Sequence, residues 1–159
     1  MSIEENKVMV DRVWQEVFNK GNLDIVDELY DTNYVYYGPG GYEIKGPVGL
    51  KRFVSGLRTS FPDLHFTVED LIAEGDEVVS RWTMQGTHRA TDKQIMNMGI
   101  IISRIADGKI VEDWEIYDRL YIAEQAAGGW IEKRMVGSIA KRISKGLPSS
   151  GSESPLLGK

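Results

Sequence analysis

Apolar and polar residues alternate along most of the second half of the chain, and this pattern predicts long β-strands. We predict strands over residues 64–73, 77–88 and 93–105, followed by a fourth strand that ends near Asp118. Short polar turns separate them. The last turn, Asp107-Gly108, favours a tight primed turn because these residue types accept positive φ. The four strands therefore predict an antiparallel meander.

Apolar residues in the first third of the chain recur at helical spacing. This spacing predicts helices over Ile3–Asn19 and Leu23–Tyr30, and a third helix that begins at Gly46-Pro47 and ends before Pro62. A short aromatic run, Tyr34-Val-Tyr-Tyr37, predicts a strand before the third helix. Helices grouped ahead of hairpin-linked strands indicate an α+β fold, with the helices packed on a curved, mostly antiparallel sheet.

The C-terminal part of the chain predicts one more helix and a tail. Ile131, Met135, Ile139 and Ile143 recur every four residues among basic residues. We therefore predict a main domain over residues 1–122, a basic amphipathic helix over 123–146 and a flexible tail over 147–159. We interpret this helix as a cap or a subunit contact. The alternative is contact with a membrane surface or another partner.

Composition and charge narrow the classes of site and partner. The 159 residues include no cysteine, which excludes disulfides and thiolate metal sites, and the two histidines fit no metal-ligand spacing. The net charge is −5; residues 129–159 hold six Lys/Arg and two Glu, a net +4, so the remainder carries −9. This acidic body argues against nucleic-acid binding. With neither a signal-peptide pattern nor a membrane-length apolar run, we expect a cytoplasmic protein.

Acidic residues alternate with apolar ones along the last predicted strand. Asp113, Glu115 and Tyr117 share one face, and Trp114 and Ile116 share the other. In one interpretation the acidic groups point into an apolar cavity, where desolvation raises the pKa of a carboxyl group towards the value that a general base needs. In the other interpretation this is the solvated face of an edge strand.

Five short stretches carry a resemblance to a known family. They are Phe18-Asn-Lys-Gly-Asn-Leu-Asp, Tyr42-Glu-Ile-Lys-Gly-Pro, Phe61-Pro-Asp, Gly86-Thr-His, and Arg104-Ile-Ala-Asp-Gly-Lys-Ile-Val-Glu-Asp-Trp-Glu. Together they span about residues 5–122 and resemble the SnoaL-like polyketide cyclases, within the nuclear-transport-factor-2-like superfamily. The resemblance implies a cone-shaped α+β barrel, commonly dimeric through its sheet. This fold serves cyclases, isomerases, dehydratases, epoxide hydrolases and non-catalytic binders.

The resemblance also implies roles for particular residues. In the characterised cyclases the catalytic acid/base is an Asp just after the Asp-Gly-Lys-Ile hairpin, and Glu115 occupies that position here. A cavity His on the preceding strand of those enzymes falls at Ile101. In the epoxide hydrolases of this superfamily an Arg-x-Asp lies on the strand that here reads Arg81-Trp-Thr83, so the second carboxylate is replaced. We predict Glu115 as the acid/base, with help from Arg81 and His88. The structural alternatives are an ion pair of Arg81 with Glu115 or Asp113, and a rim position for His88 with its ring bonded to the backbone.

Aromatic, apolar and polar side chains near these positions are candidate substrate contacts, and the apolar ones serve equally well as core. The set comprises Trp14, Tyr34, Tyr37, Phe53, Phe66, Thr83, Gln85, Met98, Ile101 and Asp113. Among them, Tyr34 and Tyr37 are predicted to offer a hydroxyl to a substrate oxygen. Asp118 is interpreted as a helix cap.

The combined prediction is an enzyme that uses no cofactor or metal. We expect a cyclase or isomerase acting on a hydrophobic polyketide-like or terpenoid-like carbonyl compound by general acid/base catalysis, in a homodimer. Two alternatives stay open at this point. One is a hydrolase or dehydratase that uses the same pocket, and the other is a non-catalytic, dimeric small-molecule binder.

Overall fold

A six-stranded sheet carries the helices of this protein. The computed structural model describes residues 2–127, so most of the predicted helix over 123–146 and all of the predicted tail over 147–159 lie outside the described residues. The elements are α1 (Ile3–Arg12), a π-helical segment (Val13–Asn19), α2 (Val26–Leu29), β1 (Tyr30–Gly38), β2 (Tyr42–Lys45), α3 (Gly46–Ser60), β3 (His65–Glu74), β4 (Glu77–His88), β5 (Lys93–Ala106), β6 (Lys109–Tyr117) and α4 (Arg119–Ala127).

The strands form one mixed, open sheet in the order β2-β1-β6-β5-β4-β3. Strands β3 to β6 are the predicted antiparallel meander, and β1 joins β6 in parallel and β2 in antiparallel pairing. Asp107 and Gly108 have φ values of 50° and 77°, which confirms the predicted primed turn. Register shifts in β1, β3 and β6 pairings bend the sheet. The α+β prediction is confirmed.

Two details of the prediction were wrong. The second helix spans only Val26–Leu29, because Tyr30 already pairs with Ile110 as the start of β1. The strand β2 was not predicted at all. It is four residues long and pairs only with β1 at the edge of the sheet, so its sequence carries little periodic signal.

The two faces of the sheet have different environments. Along β5 the odd-numbered positions Ile95, Asn97, Ile101, Ser103 and Ile105 are buried under the helices. We call this side the covered face. The opposite side, here called the outer face, exposes a set of large apolar side chains on β5 and β6: Met96, Met98, Ile100, Ile102, Trp114 and Ile116.

Side-chain hydrogen bonds fix the helices to the covered face. Asn19, at the end of the π-helical segment, accepts from Phe66 N at 2.7 Å and donates to Phe66 O at 2.9 Å. Asp63 accepts hydrogen bonds from the backbone and hydroxyl of Thr87 at 2.6 and 2.7 Å. These contacts join stretches that are far apart in the sequence and hold the helical layer in register with the sheet.

Helix α4 crosses the sheet beyond the end of β6. Asp118 Oδ1 accepts from Tyr121 N at 2.9 Å, which confirms the helix-cap interpretation of Asp118. The side chain of Gln125 forms hydrogen bonds with both backbone groups of Met96, at 2.9 Å to N and 2.7 Å to O. Met96 lies in the part of β5 that extends past the end of β6. The side chain thus takes the place of a paired strand.

None of the helices in residues 2–127 is long and apolar enough to cross a bilayer.

Candidate active site

A cavity of about 100 Å³ lies between the covered face and the helices. Trp14 and Phe18 line it from the π-helical segment, and Phe53 and Leu57 line it from α3. A π-helical turn is uncommon and often occurs at functional sites. The cavity wall is mainly apolar, and none of the lining residues in the described chain is cationic. Acidic groups in the cavity therefore have no lysine or arginine beside them.

Glu115 of β6 brings a carboxyl group into this cavity. Its Oε2 accepts a hydrogen bond from the Tyr36 hydroxyl at 2.5 Å. The pKa of Glu115 is raised to about 7, mainly by burial and in part by the charge of Asp113, and the hydroxyl of Tyr36 and the indole of Trp82 limit this rise. The residue as a whole is only half-buried, since it also borders a groove on the outer face, but its carboxyl group is the part that desolvation affects.

Asp113 lies deeper in the cavity wall and is fully satisfied. Its two oxygens accept hydrogen bonds from Ser103 Oγ at 2.5 Å and Tyr34 hydroxyl at 2.6 Å. Burial raises the pKa of Asp113 to about 6, and both hydrogen bonds oppose that rise. Because both oxygens are occupied, Asp113 is placed to support the cavity and to act on Glu115 through its charge.

Burial also raises the pKa of the Tyr34 and Tyr36 phenols well above the usual range, and the neighbouring carboxylates raise it further. Both hydroxyls therefore stay protonated at neutral pH and act as hydrogen-bond donors. This matches the direction of the bonds to Asp113 and Glu115. Each of the two carboxyl groups that β6 brings to the cavity thus has its own tyrosine donor from β1.

The structure brings together many of the residues that the sequence suggested. Glu115, Asp113 and Tyr34 line the same cavity, with a set of apolar residues around them: Trp14, Phe53, Phe66 and Ile101. Ile101 pairs directly with Glu115 across β5 and β6, so the position where the resemblance leads us to expect a His lies next to the carboxyl group.

Four of the predicted contact or catalytic residues lie on the outer face, away from the cavity. Arg81 is on the outer face, where its Nε contacts Asp70 Oδ2 at 2.6 Å. The predicted placement of Arg81 beside Glu115 was wrong, because side chains alternate along β4 and Ser80 and Trp82 are the ones that face inward. Thr83 and Gln85 share the outward register of Arg81, and Met98 is 68% exposed on β5.

Two further residues lie outside the cavity. Tyr37 stacks on Trp114 of the outer face, with ring centroids 4.2 Å apart, so its hydroxyl is not offered to the cavity. His88 ends β4, where its ring packs near Phe61 and its Nδ1 is 2.9 Å from Thr91 Oγ1. His88 thus lies at the rim as the alternative predicts, but its ring contacts a side chain and not the backbone, and the predicted help to Glu115 does not fit this position.

Two polar cavity residues, Trp82 and Asn97, were missed at the sequence level. Tyr36 was considered only as aromatic surface, and its role as a hydroxyl donor was missed. Strict alternation along β1 would have identified Tyr36, because it shares a face with Tyr34 whereas Tyr37 does not. Asn97 carried a weaker signal, as a polar residue at an inward position of a strand whose other inward residues are mostly apolar.

The family model of the SnoaL-like polyketide cyclases matches residues 8–126. The chain belongs to this family. A solved structure of a candidate polyketide cyclase from Acidithiobacillus ferrooxidans is 30% identical, with 81% of this chain and 99% of that chain covered and a TM-score of 0.69. IdmH, a candidate polyketide cyclase from Streptomyces antibioticus, is 26% identical, with 77% and 98% covered and a TM-score of 0.69.

More distant structures share the fold. A SnoaL-like protein from Jannaschia sp. CCS1 is 20% identical, with 79% and 94% covered and a TM-score of 0.73. A protein with a ketosteroid isomerase-like fold from Catenulispora acidiphila is 13% identical, with 79% and 95% covered and a TM-score of 0.64. The comparison with curated proteins gave no significant match. These likenesses establish family and fold, and the site itself must carry the assignment of chemistry.

Proposed function

We propose that this SnoaL-like protein is a cyclase or isomerase that acts on a hydrophobic carbonyl compound, polyketide-like or terpenoid-like, by general acid/base catalysis without a cofactor. One observation carries the proposal. The Glu115 carboxyl group lies in an apolar cavity, has no cationic neighbour among the described lining residues, and has its pKa raised to about 7. A group that titrates near neutral pH can both remove and return a proton.

The reaction can be written with its protons balanced. The carboxylate of Glu115 takes a proton from a carbon that lies between two carbonyl groups, which leaves an enolate. In a cyclase the enolate carbon then attacks a second carbonyl carbon of the same molecule, so that one C–C bond forms and the attacked oxygen becomes an alkoxide. The protonated Glu115 returns its proton to that oxygen and is regenerated as a carboxylate. In an isomerase the proton returns to a different atom of the enolate.

Tyr36 is proposed to position the base. Its hydroxyl holds Oε2 at 2.5 Å and so fixes the carboxyl group of Glu115 within the cavity. Because the bond favours the charged form of Glu115, it also limits the rise of the pKa. Tyr36 therefore acts through Glu115.

The size of the cavity bears on the substrate. A volume of about 100 Å³ is well below the roughly 300 Å³ at which ligand sites usually begin. The lining residues that are only partly buried, Phe53, Leu57, Tyr117 and Ile122, mark the side nearest to solvent. A substrate larger than a single ring therefore requires α3 and α4 to separate along this side. A small substrate fits with less movement.

The hydrolase alternative has less support. In the epoxide-hydrolase pattern an Arg on this strand acts with carboxylates, but Thr83 replaces one carboxylate and Arg81 lies on the outer face. The binder alternative needs a direct test, because an apolar cavity with polar groups suits a ligand as well as a substrate.

The deciding experiment measures deuterium uptake at the acidic carbon of carbonyl compounds in D2O by NMR. We would compare a small probe, pentane-2,4-dione, with a polycyclic β-keto ester, using wild type, Glu115→Gln and the outer-face control Met98→Leu. The proposal expects exchange above the buffer rate with wild type and Met98→Leu, and at least a hundredfold loss with Glu115→Gln, a typical contribution of a general base. Ligand binding by thermal shift with equal exchange in all three proteins would favour the binder.

The outer face is proposed to bind a second copy of the chain. Ile116, Met98 and Trp114 are 79%, 68% and 52% exposed, although they are large and apolar. Contiguous apolar surfaces of this kind usually mark interaction sites. A two-fold pairing of the sheets would cover the same residues on both copies. This supports the homodimer that the resemblance implies.

A further inference from the structure

Asn97 carries an unpaired donor inside the cavity. The residue is 3% exposed, and its Nδ2 has no hydrogen-bond partner among residues 2–127. A buried amide without a partner costs free energy, so protein interiors rarely keep one without a reason. The residue lines the cavity, where a ligand can supply the partner that residues 2–127 do not provide.

Trp82 provides a second donor of the same kind. It is 3% exposed and lines the cavity, and its Nε1 has no hydrogen-bond partner of regular geometry in the described chain. The indole N–H is nevertheless close enough to Glu115 to lower the pKa of the carboxyl group as a hydrogen-bond donor, so a substrate oxygen beside Glu115 would share this donor. An indole N–H can only donate. Its ring has a fixed place because it lies over Gly99, which leaves no room for a side chain there.

The strand register orders these groups along the cavity. Ile101 pairs with Glu115, Gly99 pairs with both Tyr117 and Trp82, and Asn97 follows beyond the end of β6. Successive residues on one face of a strand are about 7 Å apart. Along the cavity towards α4, the spatial order of the polar groups is therefore the carboxyl group of Glu115, the indole donor of Trp82 and the amide donor of Asn97.

We infer that Trp82 and Asn97 are specificity-determining residues that bind two oxygen atoms of a dicarbonyl substrate. Trp82 donates to the oxygen of the carbonyl that Glu115 enolises, and Asn97 donates to a second oxygen nearer α4. Both groups are donors, and both acceptors on such a substrate are oxygens. The inference rests on the proposed function for the choice of substrate class, whereas oxygen binding can be measured without turnover.

The two donors also complement the action of Glu115, because they can stabilise the negative charge that forms when Glu115 removes a proton. A negative charge that develops on an enolate oxygen is stabilised best by donors that are already fixed in place. The resemblance places Ile101 where related cyclases have a His, and this side chain offers no hydrogen bond. Trp82 and Asn97 supply the donors from neighbouring inward positions on β4 and β5.

The test uses two probes with one carbon skeleton, pentane-2,4-dione and pentan-2-one, titrated into the 15N-labelled full chain. The background is Glu115→Gln, which removes turnover. Cross-peaks of the Trp82 indole N–H and the Asn97 amide are followed in 15N spectra, with Trp82→Phe and Asn97→Leu used for assignment. The expected result is that the dione shifts both side-chain signals and the monoketone shifts only that of Trp82.

The affinities give a second, independent readout. Asn97→Leu is expected to weaken dione binding about threefold to tenfold, the contribution of one neutral hydrogen bond, and to leave pentan-2-one binding unchanged. The outer-face variant Met98→Leu should change neither. The inference is overturned if the dione moves neither signal at its highest soluble concentration, or if Asn97→Leu affects both probes equally. If the dione binds as expected but wild type shows no deuterium exchange, only the proposed catalysis fails.

Discussion

The hydroxyl of Tyr36 donates a 2.5 Å hydrogen bond to Oε2 of Glu115, although the two residues are 79 positions apart. The parallel pairing of β1 with β6 makes this possible, because it sets Tyr36 opposite Asp113 and so two residues from Glu115 on the same face. A tyrosine from the first strand thus controls a carboxyl group on the last. The following predictions begin from this bond.

Tyr36→Phe is predicted to move the pH dependence of activity. The hydrogen bond lowers the pKa of Glu115, so its loss raises that pKa above its present value of about 7. A hydrogen bond to a charged group contributes about 1.5–3 kcal/mol, which corresponds to about one to two pH units. Since the base must be ionised, the acidic limb of kcat/KM should move to higher pH by this amount. At pH values above that limb, where Glu115 is ionised again, kcat/KM of Tyr36→Phe should return close to the wild-type value.

The matched control for this prediction is Tyr37→Phe, which removes a hydroxyl from the outer face. It should leave the pH profile of kcat/KM unchanged, because Tyr37 packs on Trp114 and not on Glu115. A pH-independent loss of activity in Tyr36→Phe would assign the hydroxyl a direct role in the chemistry. An unchanged profile would show that the bond does not tune Glu115.

Glu115 is also predicted to reduce the stability of the protein as the pH rises. Its pKa is about 7 in the folded chain against an ordinary 4.5, so the folded state binds this proton more tightly than the unfolded state. Its contribution to stability is therefore complete below about pH 4.5 and is lost as the pH rises through 7. The shift corresponds to about 3 kcal/mol.

Urea unfolding of wild type and Glu115→Gln between pH 4 and 8 measures this contribution. The variant has no charge to bury. The free energy of unfolding of Glu115→Gln minus that of wild type should therefore increase as the pH rises, by up to about 3 kcal/mol. Comparing the two proteins at each pH cancels the titration of the groups that do not interact with Glu115. A difference that stays constant over this range would contradict the burial of the carboxyl group.

The sequence predicted the fold well where a local signal was strong. The meander followed from alternation over long strands, and the primed turn followed from Asp107-Gly108, whose φ values are both positive. The parallel pairing of β1 with β6 had no local signal, since it joins segments about 80 residues apart. For the same reason the Tyr36–Glu115 bond could not be predicted from either segment alone.

The candidate site was predicted in part, because alternation assigns residues to faces but does not say which face is covered. Asp113 and Glu115 were placed on one face correctly. Arg81 was assigned to the cavity, yet Ser80 is the residue that pairs with Ile101, which in turn pairs with Glu115. Tracing these pairs through both hairpins would have placed Ser80 and Trp82 inside and Arg81 outside.

Arg81→Gln is accordingly predicted to leave catalysis unchanged. The guanidinium contacts Asp70 on the outer face, and both side chains are about half exposed. Exposed ion pairs contribute at most about 1 kcal/mol, so the free energy of unfolding should fall by no more than that. The measurement is deuterium exchange with pentane-2,4-dione beside Glu115→Gln. A loss comparable to that of Glu115→Gln would place Arg81 in the reaction despite its position.

Ile116→Lys is predicted to dissociate the proposed homodimer. Ile116 is 79% exposed in the single chain, so the substitution costs little in the isolated fold but introduces two charges into a symmetric interface. Light scattering after size-exclusion chromatography should report a mass of about one chain for the variant and two for wild type. Val48→Lys is the control, since Val48 is 61% exposed on α3, away from the outer face. A monomeric wild type would contradict the proposed dimer.

Gly99→Ala is predicted to disrupt the cavity without removing any of its polar side chains. A Cβ atom at Gly99 would lie 2.4 Å from Trp82 Cζ2 and 2.8 Å from the backbone oxygen of Ile116, so the indole must leave its place over the strand. Overpacking of this kind typically costs about 1–3 kcal/mol. The displaced indole would also carry its N–H away from Glu115. Both stability and dione affinity should therefore fall.

Gly56→Ala is the matched control, because a Cβ atom there meets nothing within 4 Å and the position lies inside helix α3. Alanine favours a helix over glycine by about 1 kcal/mol, so this variant should be as stable as wild type or more stable. Urea unfolding and the Trp82 indole signal in 15N spectra separate the two variants. If Gly99→Ala kept the wild-type indole signal and dione affinity, the close packing of Trp82 on β5 would not be what fixes this donor in the cavity.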